Sequence, residues 1–243
     1  MGPTMMVRVV ARYDAVADTY AGGPDDVSNP AAVALLDLTG PVAGADVLDL
    51  ACGHGVVARE LARRGATVVG LDLSAGLLDR ARAREAAAPL GIRYVHGSAT
   101  DVDALAGERF DVVVCNFGLS DIDDLDGACA TVAAGLRPGG RFVFSILHPC
   151  FAGDEQVSGA WPTDGTYYDE GWWRASGARS TLRREVGANH RTVSTYVNAL
   201  VAHGLAVDAM VEPRPEASWT TDRPAAAAQP VYLAVRCRRV GTA

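Results

Sequence analysis

The sequence predicts an α/β fold built around a doubly wound, mostly parallel sheet. Between residues 46 and 147, short apolar runs alternate with stretches of helical periodicity. This alternation is typical of parallel strands joined by helices that cover both faces. A glycine-rich turn follows the first apolar run, at the position where such sheets bind their ligand. We therefore predict a Rossmann-like sheet of seven strands, with an antiparallel final strand.

Short apolar runs predict the strands. They lie at 47–50, 67–71, 92–95, 110–115, 141–147, 205–211 and 231–237. Helical periodicity predicts helices at 31–38, 56–63, 77–88, 125–136 and 192–203, after a short helical stretch at 13–20. Asn29 and Pro30 fit the N-cap and first position of the helix at 31–38. The Pro138-Gly139-Gly140 turn ends the helix at 125–136.

The chain length fits one domain with four parts. Residues 1–45 form an N-terminal helical cover, and residues 46–147 form the ligand-binding Rossmann-like core. Residues 148–191 lack clean periodicity and hold a cluster of aromatic residues, which we interpret as an insertion that covers the substrate. Residues 192–243 supply the C-terminal helix and the closing strands of the same domain.

The composition excludes several classes of function. The formal net charge is −7, which disfavours a nucleic-acid partner. The sequence contains no lysine, so a Schiff-base or P-loop lysine is excluded. The five cysteines have neither metal-ligand nor disulfide spacing, and we expect no metal. Neither a membrane span nor a signal peptide is evident. We expect a cytoplasmic protein, a monomer or homodimer, without a membrane partner.

The strongest local feature is the segment 47–55, which reads Val-Leu-Asp-Leu-Ala-Cys-Gly-His-Gly. Its glycines allow a tight turn and close approach of a ligand. Asp72 follows Gly53 by 19 residues, where an acid accepts hydrogen bonds from ribose hydroxyls. The glycine spacing also fits a dinucleotide fingerprint, which leaves NAD open. Asp49 favours S-adenosylmethionine instead, because a carboxylate attracts its ammonium and sulfonium and repels a diphosphate.

Four segments resemble the class I S-adenosylmethionine-dependent methyltransferases. The resemblance is to the small-molecule branch, which includes ubiquinone and menaquinone biosynthesis enzymes and bacterial natural-product methyltransferases. The segments lie at 47–55, 69–74, 110–116 and 136–142. Four motifs in order are more specific than one glycine turn. The resemblance implies S-adenosylmethionine as the cofactor and methyl transfer as the reaction.

The resemblance also implies residues that hold the methionine and ribose parts of the cofactor. Asp49 and the backbone of Ala51 would hold the methionine amino end, and Gly53 would leave room for the ligand. Asp72 would bind the ribose. Asn116, at the end of the fourth strand, would face the methionine part through its backbone.

The adenine site and the cover follow from the same resemblance. Leu73 would pack on the adenine, and Ser98 and Ala99 would approach its edge. Ser98 stands where the family often has aspartate, which weakens the expected bond to the adenine amino group. Tyr13 and Tyr20 resemble a helix that folds over the cofactor.

Two histidines are candidates for a general base. A base is needed only if the acceptor must lose a proton, and histidine is the usual choice near neutral pH. His148 follows the fifth strand, where the ligand crevice of an open α/β sheet lies. His190 precedes the helix at 192–203, beside the aromatic segment. A purely structural role in a cap or turn is the alternative for each.

The aromatic segment predicts the acceptor site. Aromatic side chains supply apolar contact with polar tips, which suits a flat, partly polar acceptor. A core or dimer interface is the alternative use for the tryptophans. The residues predicted to bind the acceptor are Tyr168, Trp172, Trp173 and Asn189.

These observations predict methyl transfer to O, N or S of a small-molecule metabolite. The arginine-only, alanine-rich composition is typical of a GC-rich bacterial genome and fits secondary metabolism and natural-product biosynthesis. A second hypothesis is a methyltransferase fold that binds the cofactor but catalyses a non-methylating reaction such as cyclisation. A third is an NAD-dependent oxidoreductase.

Overall fold

The structure is a computed structural model that describes residues 11–22, 26–153, 157–162, 164–176, 181–221 and 223–240. Its strands, numbered in chain order, are β1 (Asp46–Leu50), β2 (Thr67–Asp72), β3 (Arg93–His96), β4 (Phe110–Asn116), β5 (Leu136–Leu147), β6 (Gly171–Trp173), β7 (Ala188–His190), β8 (Leu205–Val211) and β9 (Tyr232–Arg239). Its helices are α1 (Ala17–Ala21), α2 (Pro30–Thr39), α3 (Val56–Arg63), α4 (Ala75–Ala87), α5 (Leu125–Gly135), α6 (Thr181–Val186), α7 (Val193–Ala202), α8 (Ala217–Thr221) and α9 (Pro224–Ala228).

Seven strands form one sheet in the order β3-β2-β1-β4-β5-β9-β8. Strands β1 to β5 pair in parallel, whereas β9 runs antiparallel to both β5 and β8. The predicted seven-stranded, mostly parallel sheet with an antiparallel final strand is therefore confirmed. The carboxyl ends of β1, β2 and β4 lie side by side, which is where a sheet of this type binds its ligand.

Helices cover both faces of the sheet. On one face, α5 and α7 pack over Leu50, Phe142 and Phe144, and on the other, α2 and α3 pack over Val47 and Val112. Burial on both sides explains why β1 and β4 read as nearly continuous apolar runs. Several helices begin at a residue whose side chain accepts a hydrogen bond from the first turn. These caps are Asn29, Ser74, Asp124 and Thr192.

Some elements differ from the prediction at their ends or were not predicted. Helix α5 ends at Gly135, and β5 begins at Leu136, before the proline–glycine turn expected to separate them. The segment 148–191 contains the two-stranded sheet β6–β7 and the short helix α6. Strands of three residues are too short to show a periodicity. No helix in the described part of the chain is long and apolar enough to cross a membrane.

Gly55 is required by the turn that begins α3. Its φ is +86°, and a Cβ added there would lie 2.3 Å from the hydroxyl oxygen of Tyr94. We expect Gly55→Ala to lower the free energy of unfolding by about 1–2 kcal/mol through the left-handed backbone alone. The Tyr94 ring must also move, which adds to the loss. Gly107→Ala is the matched control in urea unfolding, because Gly107 has φ +80° and no atom within 4 Å of an added Cβ. Equal losses in the two variants would contradict the contact with Tyr94.

Candidate active site

A cavity of about 560 Å³ opens at the carboxyl ends of β1, β2 and β4. It brings together residues that are far apart in sequence, from the N-terminal cover to the turn after β4. Nine of the ten residues predicted to bind a cofactor line it; Asp49 does not. The nine are Tyr13, Tyr20, Ala51, Gly53, Asp72, Leu73, Ser98, Ala99 and Asn116.

Gly53 and Asp72 are joined by a hydrogen bond at the cavity wall. Asp72 Oδ2 accepts from the Gly53 amide at 2.8 Å, and Oδ1 accepts from the Ser74 amide at 2.8 Å. Each carboxylate oxygen can accept a further bond, so both remain able to accept from the hydroxyls of a ligand. A Cβ on Gly53 would meet its nearest atom, Leu77 Cδ1, only at 3.9 Å. The missing side chain therefore leaves open space.

Asp49 is buried in β1, with only 1% of its surface exposed. The amide of Ala58 hydrogen-bonds to its carboxyl, while Oδ2 has no hydrogen-bond partner among the described residues. Burial, opposed by the hydrogen bond from Ala58 and aided by the nearby charge of Asp72, raises the pKa of Asp49 to about 8. A buried carboxylate in this state is stabilised by a nearby cation. A cation bound nearby would favour the ionised form of Asp49, so a preference of this site for a positively charged ligand stays a prediction.

The predicted adenine side of the cavity is formed by small and apolar residues. Leu71 and Leu73 line it on the β2 side, and Ser98 and Ala99 line it beyond β3. The hydroxyl of Ser98 lies 2.8 Å from the Thr100 hydroxyl oxygen and accepts from the Thr100 amide at 3.2 Å. These bonds stabilise the turn that follows β3. Leu71, Leu73 and Ala99 give this wall apolar side chains, which suits an aromatic base.

The N-terminal cover is anchored to the β2 side of the cavity. Asp14 Oδ1 accepts from the Ser74 hydroxyl at 2.6 Å and from the Gly76 amide at 3.1 Å. Tyr20 packs edge-on against the ring of His54, with ring centroids 5.5 Å apart. The described residues of the cover thus line the cavity next to the glycine turn.

The cover is also anchored to an acidic loop, residues 121–124, which follows β4. The Tyr13 hydroxyl donates to Asp121 Oδ2 at 2.8 Å, and Arg12 Nη2 lies 2.6 Å from Asp123 Oδ2. Arg183, from α6, forms a short ion pair with Asp121. Burial, followed by the charge of Asp121, raises the pKa of Tyr13 well above its ordinary value.

Sequence reasoning missed the arginines that hold the acidic loop. Arg191 donates to the backbone oxygens of Leu119, Ile122 and Asp123 at 2.9, 2.6 and 2.8 Å. Arg12 pairs with the carboxylate of Asp123 across 111 positions of sequence, and Arg183 pairs with that of Asp121 across 62. One feature of the sequence could have indicated this loop. Its acids follow the central strand β4, and the segment after such a strand faces the ligand crevice.

The two histidines predicted as bases lie outside the large cavity. His148 Nδ1 accepts from the Cys150 amide at 3.0 Å, and Nε2 lies 3.1 Å from Glu212 Oε1. Burial lowers the pKa of His148, and Glu212 opposes the shift. His190 Nε2 lies 2.8 Å from the Tyr167 backbone oxygen. Its Nδ1 is buried without a hydrogen-bond partner among the described residues. Catalysis by either histidine stays a prediction.

None of the four residues predicted to bind an acceptor lines the large cavity. Tyr168 is 83% exposed, and Trp172 is 45% exposed. Arg12 and Arg174 lie 5.3 and 5.1 Å from the Trp172 ring centroid. Trp173 is buried, and Asn189 Nδ2 donates to Asp123 Oδ1 at 2.9 Å. Asn189 therefore positions the acidic loop, and acceptor binding by the four residues stays a prediction.

Cavities of this size hold one ligand about as large as a nucleotide, and an acid at the tip of β2 suits a ribose. The fold and the site thus define a Rossmann-like protein that binds a nucleoside-containing ligand. The described residues contain no cluster of three His, Cys, Asp or Glu side chains arranged to hold a metal ion.

Comparison with known proteins identifies the family. A profile described as a methyltransferase domain matches residues 48–144. The crystal structure of an S-adenosylmethionine-dependent methyltransferase from Mesorhizobium loti is 30% identical, covers 90% of this chain and all of that chain, and superposes with a TM-score of 0.65. The chain belongs to the S-adenosylmethionine-dependent methyltransferases. Membership confirms the predicted cofactor and enzyme class.

Two further similarities limit what can be carried over. A ubiquinone biosynthesis O-methyltransferase of a Methylobacterium strain is 34% identical over 164 residues, 60% of this chain. The chain spans just under two thirds of that relative, 66% of its length. The structure of the cyclase SpnF covers 94% of this chain and of that chain, with 18% identity and a TM-score of 0.65. At this identity the likeness shows the fold alone and does not support cyclisation as the reaction of this chain. The cyclisation hypothesis is therefore not favoured.

Proposed function

We propose that this chain transfers the methyl group of S-adenosylmethionine to O, N or S of a small-molecule metabolite, in bacterial natural-product biosynthesis. The observation that carries the proposal is the 560 Å³ cavity, which unites the glycine turn, the acid of β2 and a tyrosine-bearing cover. The similar O-methyltransferase of ubiquinone biosynthesis supports a small acceptor. Cytoplasmic location, independence of nucleic acid and a monomeric or homodimeric state stay predictions.

The residues present fit S-adenosylmethionine better than a dinucleotide. Asp72 would bind the ribose hydroxyls, and Gly53 and Ala51 would leave space for the methionine chain. The unpartnered oxygen of buried Asp49 would stabilise the cationic end of the cofactor through its charge. A diphosphate close to the same carboxylate would be repelled. When bound, the cofactor supplies a methyl group already activated by a sulfonium.

The chain supplies alignment and exclusion of water. Asp14, Arg12 and Tyr13 tie the cover to both sides of the cavity, so that bulk water is kept from the reacting groups. Holding two reactants in line converts a bimolecular step into an intramolecular one, which can supply a large part of the rate acceleration.

The test is transfer of a radiolabelled methyl group. The purified chain is incubated with S-adenosylmethionine labelled in its methyl group and with a panel of phenols, amines and thiols. We expect label in an extractable product and an equal amount of S-adenosylhomocysteine. Consumption of an acceptor without S-adenosylhomocysteine would contradict the proposal and favour the non-methylating alternative. Omission of the acceptor is the control for hydrolysis of the cofactor.

A further inference from the structure

Asp121 and Tyr13 form a hydrogen-bonded pair on the wall of the large cavity. The Tyr13 hydroxyl has one proton, and it donates that proton to Asp121 Oδ2 at 2.8 Å. The Tyr13 oxygen therefore retains only acceptor capacity toward a ligand. A ligand hydroxyl that bonds to this oxygen would be connected through Tyr13 to a carboxylate.

The other carboxylates of the cavity wall are committed to other tasks. Asp72 holds the amides of Gly53 and Ser74. Asp123 accepts from both Arg12 and Asn189. Asp124 caps α5 by accepting from the Gly127 amide at 2.9 Å. The predicted histidine bases lie outside this cavity, and both ring nitrogens of His148 are engaged.

We propose that Tyr13 and Asp121 together take the proton from a hydroxyl acceptor, which makes the acceptor of this site an alcohol or phenol. The inference rests on the proposed function and narrows it. A neutral amine attacks with a free electron pair, and a thiol is already partly ionised near pH 8, whereas a neutral alcohol or phenol must lose its proton as it reacts.

The step balances in atoms and charge. The acceptor oxygen bonds to the methyl carbon while its proton passes to Tyr13 Oη. The proton of Tyr13 passes to Asp121 Oδ2, and the electron pair of the broken carbon–sulfur bond stays on sulfur. The positive charge lost at sulfur is replaced by the proton gained at Asp121. The net charge of the site is therefore unchanged.

The surroundings of the pair favour transfer of a proton through Tyr13 to Asp121 over formation of a free tyrosinate. The raised pKa of Tyr13 means that a free tyrosinate does not accumulate, so Tyr13 gives up one proton only as it receives another. Arg183 positions Asp121 through the ion pair. The charged and titratable groups facing the pair are Arg183, Arg12, Tyr20 and Asp72.

The test compares two acceptors that differ in whether a proton remains to be removed. Catechol keeps its hydroxyl proton at pH 8, whereas 4-nitrocatechol is already ionised there. We expect Tyr13→Phe and Asp121→Asn to lower kcat on catechol by about 100-fold or more, the range for loss of a general base. On 4-nitrocatechol the loss should be on the order of tenfold or less, because no proton needs to be removed. Affinity for S-adenosylhomocysteine is measured by calorimetry, and kcat is compared at saturating S-adenosylmethionine, so that a loss of cofactor binding is separated from a loss of proton transfer.

Asp123→Asn is the matched control, since it removes a neighbouring carboxylate of the same acidic loop. Any decrease in kcat that this variant shows should be equal on the two acceptors. Tyr13→Phe keeps the ring, so the comparison stands even if Asp121→Asn fails to fold. Equal losses on the two acceptors in Tyr13→Phe would overturn the proposal. Turnover of amines or thiols, but of no alcohol or phenol in the acceptor panel, by a chain that binds S-adenosylhomocysteine would overturn the hydroxyl assignment. Failure to bind S-adenosylhomocysteine would contradict the proposed function itself.

Discussion

The Asp49→Asn variant is expected to gain stability over the unmodified chain as the pH rises from 5 to 8. Burial raises the pKa of Asp49 to about 8 in the folded state, whereas an unfolded aspartate titrates near 4. The folded state therefore binds the proton of Asp49 more tightly than the unfolded state does. The stability that this proton binding contributes is lost as the pH rises toward 8. Over three pH units this loss is roughly 4 kcal/mol, and an asparagine does not incur it.

The measurement is urea unfolding of both chains without ligand at several pH values. The difference in the free energy of unfolding should be small near pH 4 and should grow steadily to pH 8. A pH-independent difference would show that Asp49 is not an unpaired buried acid. Asp37→Asn is a suitable control, because this aspartate lies on α2 and is exposed.

The same substitution should weaken binding of the cofactor. We expect the charge of Asp49 to stabilise a cation in the cavity, so that its loss costs roughly tenfold in affinity at pH 8. S-adenosylmethionine carries a sulfonium that S-adenosylhomocysteine lacks, so the loss should be greater for S-adenosylmethionine. Equal affinity of both chains for both ligands would contradict an electrostatic role for Asp49.

The Asp72→Ala variant is expected to bind S-adenosylhomocysteine more weakly by about 1–3 kcal/mol, the range for hydrogen bonds to a charged group. Two effects act together. The ribose loses its acceptor, and the amides of Gly53 and Ser74 lose the oxygens that hold their loops at the cavity wall. Calorimetric titration measures the change. Asp79→Ala is the control, since Asp79 lies on the exposed side of α4. Unchanged affinity of Asp72→Ala would show that the ribose assignment is wrong.

Residues that are close in sequence to a strand end could be placed in the site from sequence alone. Gly53 and Asp72 follow β1 and close β2, and parallel strands bring their carboxyl ends to one edge. Periodicity and turn residues fix those positions locally, without reference to distant parts of the chain. The seven-stranded sheet could be predicted from the sequence because its strands, too, are indicated by local patterns.

Residues whose role depends on long-range packing could not be predicted. Asp121 meets Tyr13 across 108 positions of sequence, and Arg183 meets Asp121 across 62. No local pattern indicates which arginine pairs with which acid. His148 does follow β5, as expected for a catalytic residue, but Glu212 and the Cys150 amide occupy its ring nitrogens. The ends of the predicted strands indicate where the ligand crevice lies, whereas long-range packing determines which side chains line the crevice.

The most direct test of the account is calorimetric titration of the purified chain with S-adenosylhomocysteine and, separately, with NADH. The buried acid beside the glycine turn favours a cationic ligand over a diphosphate, so we expect micromolar binding of S-adenosylhomocysteine and no binding of NADH. Binding of NADH alone would contradict the role assigned to Asp49 and, with it, the methyl-transfer function proposed for the cavity.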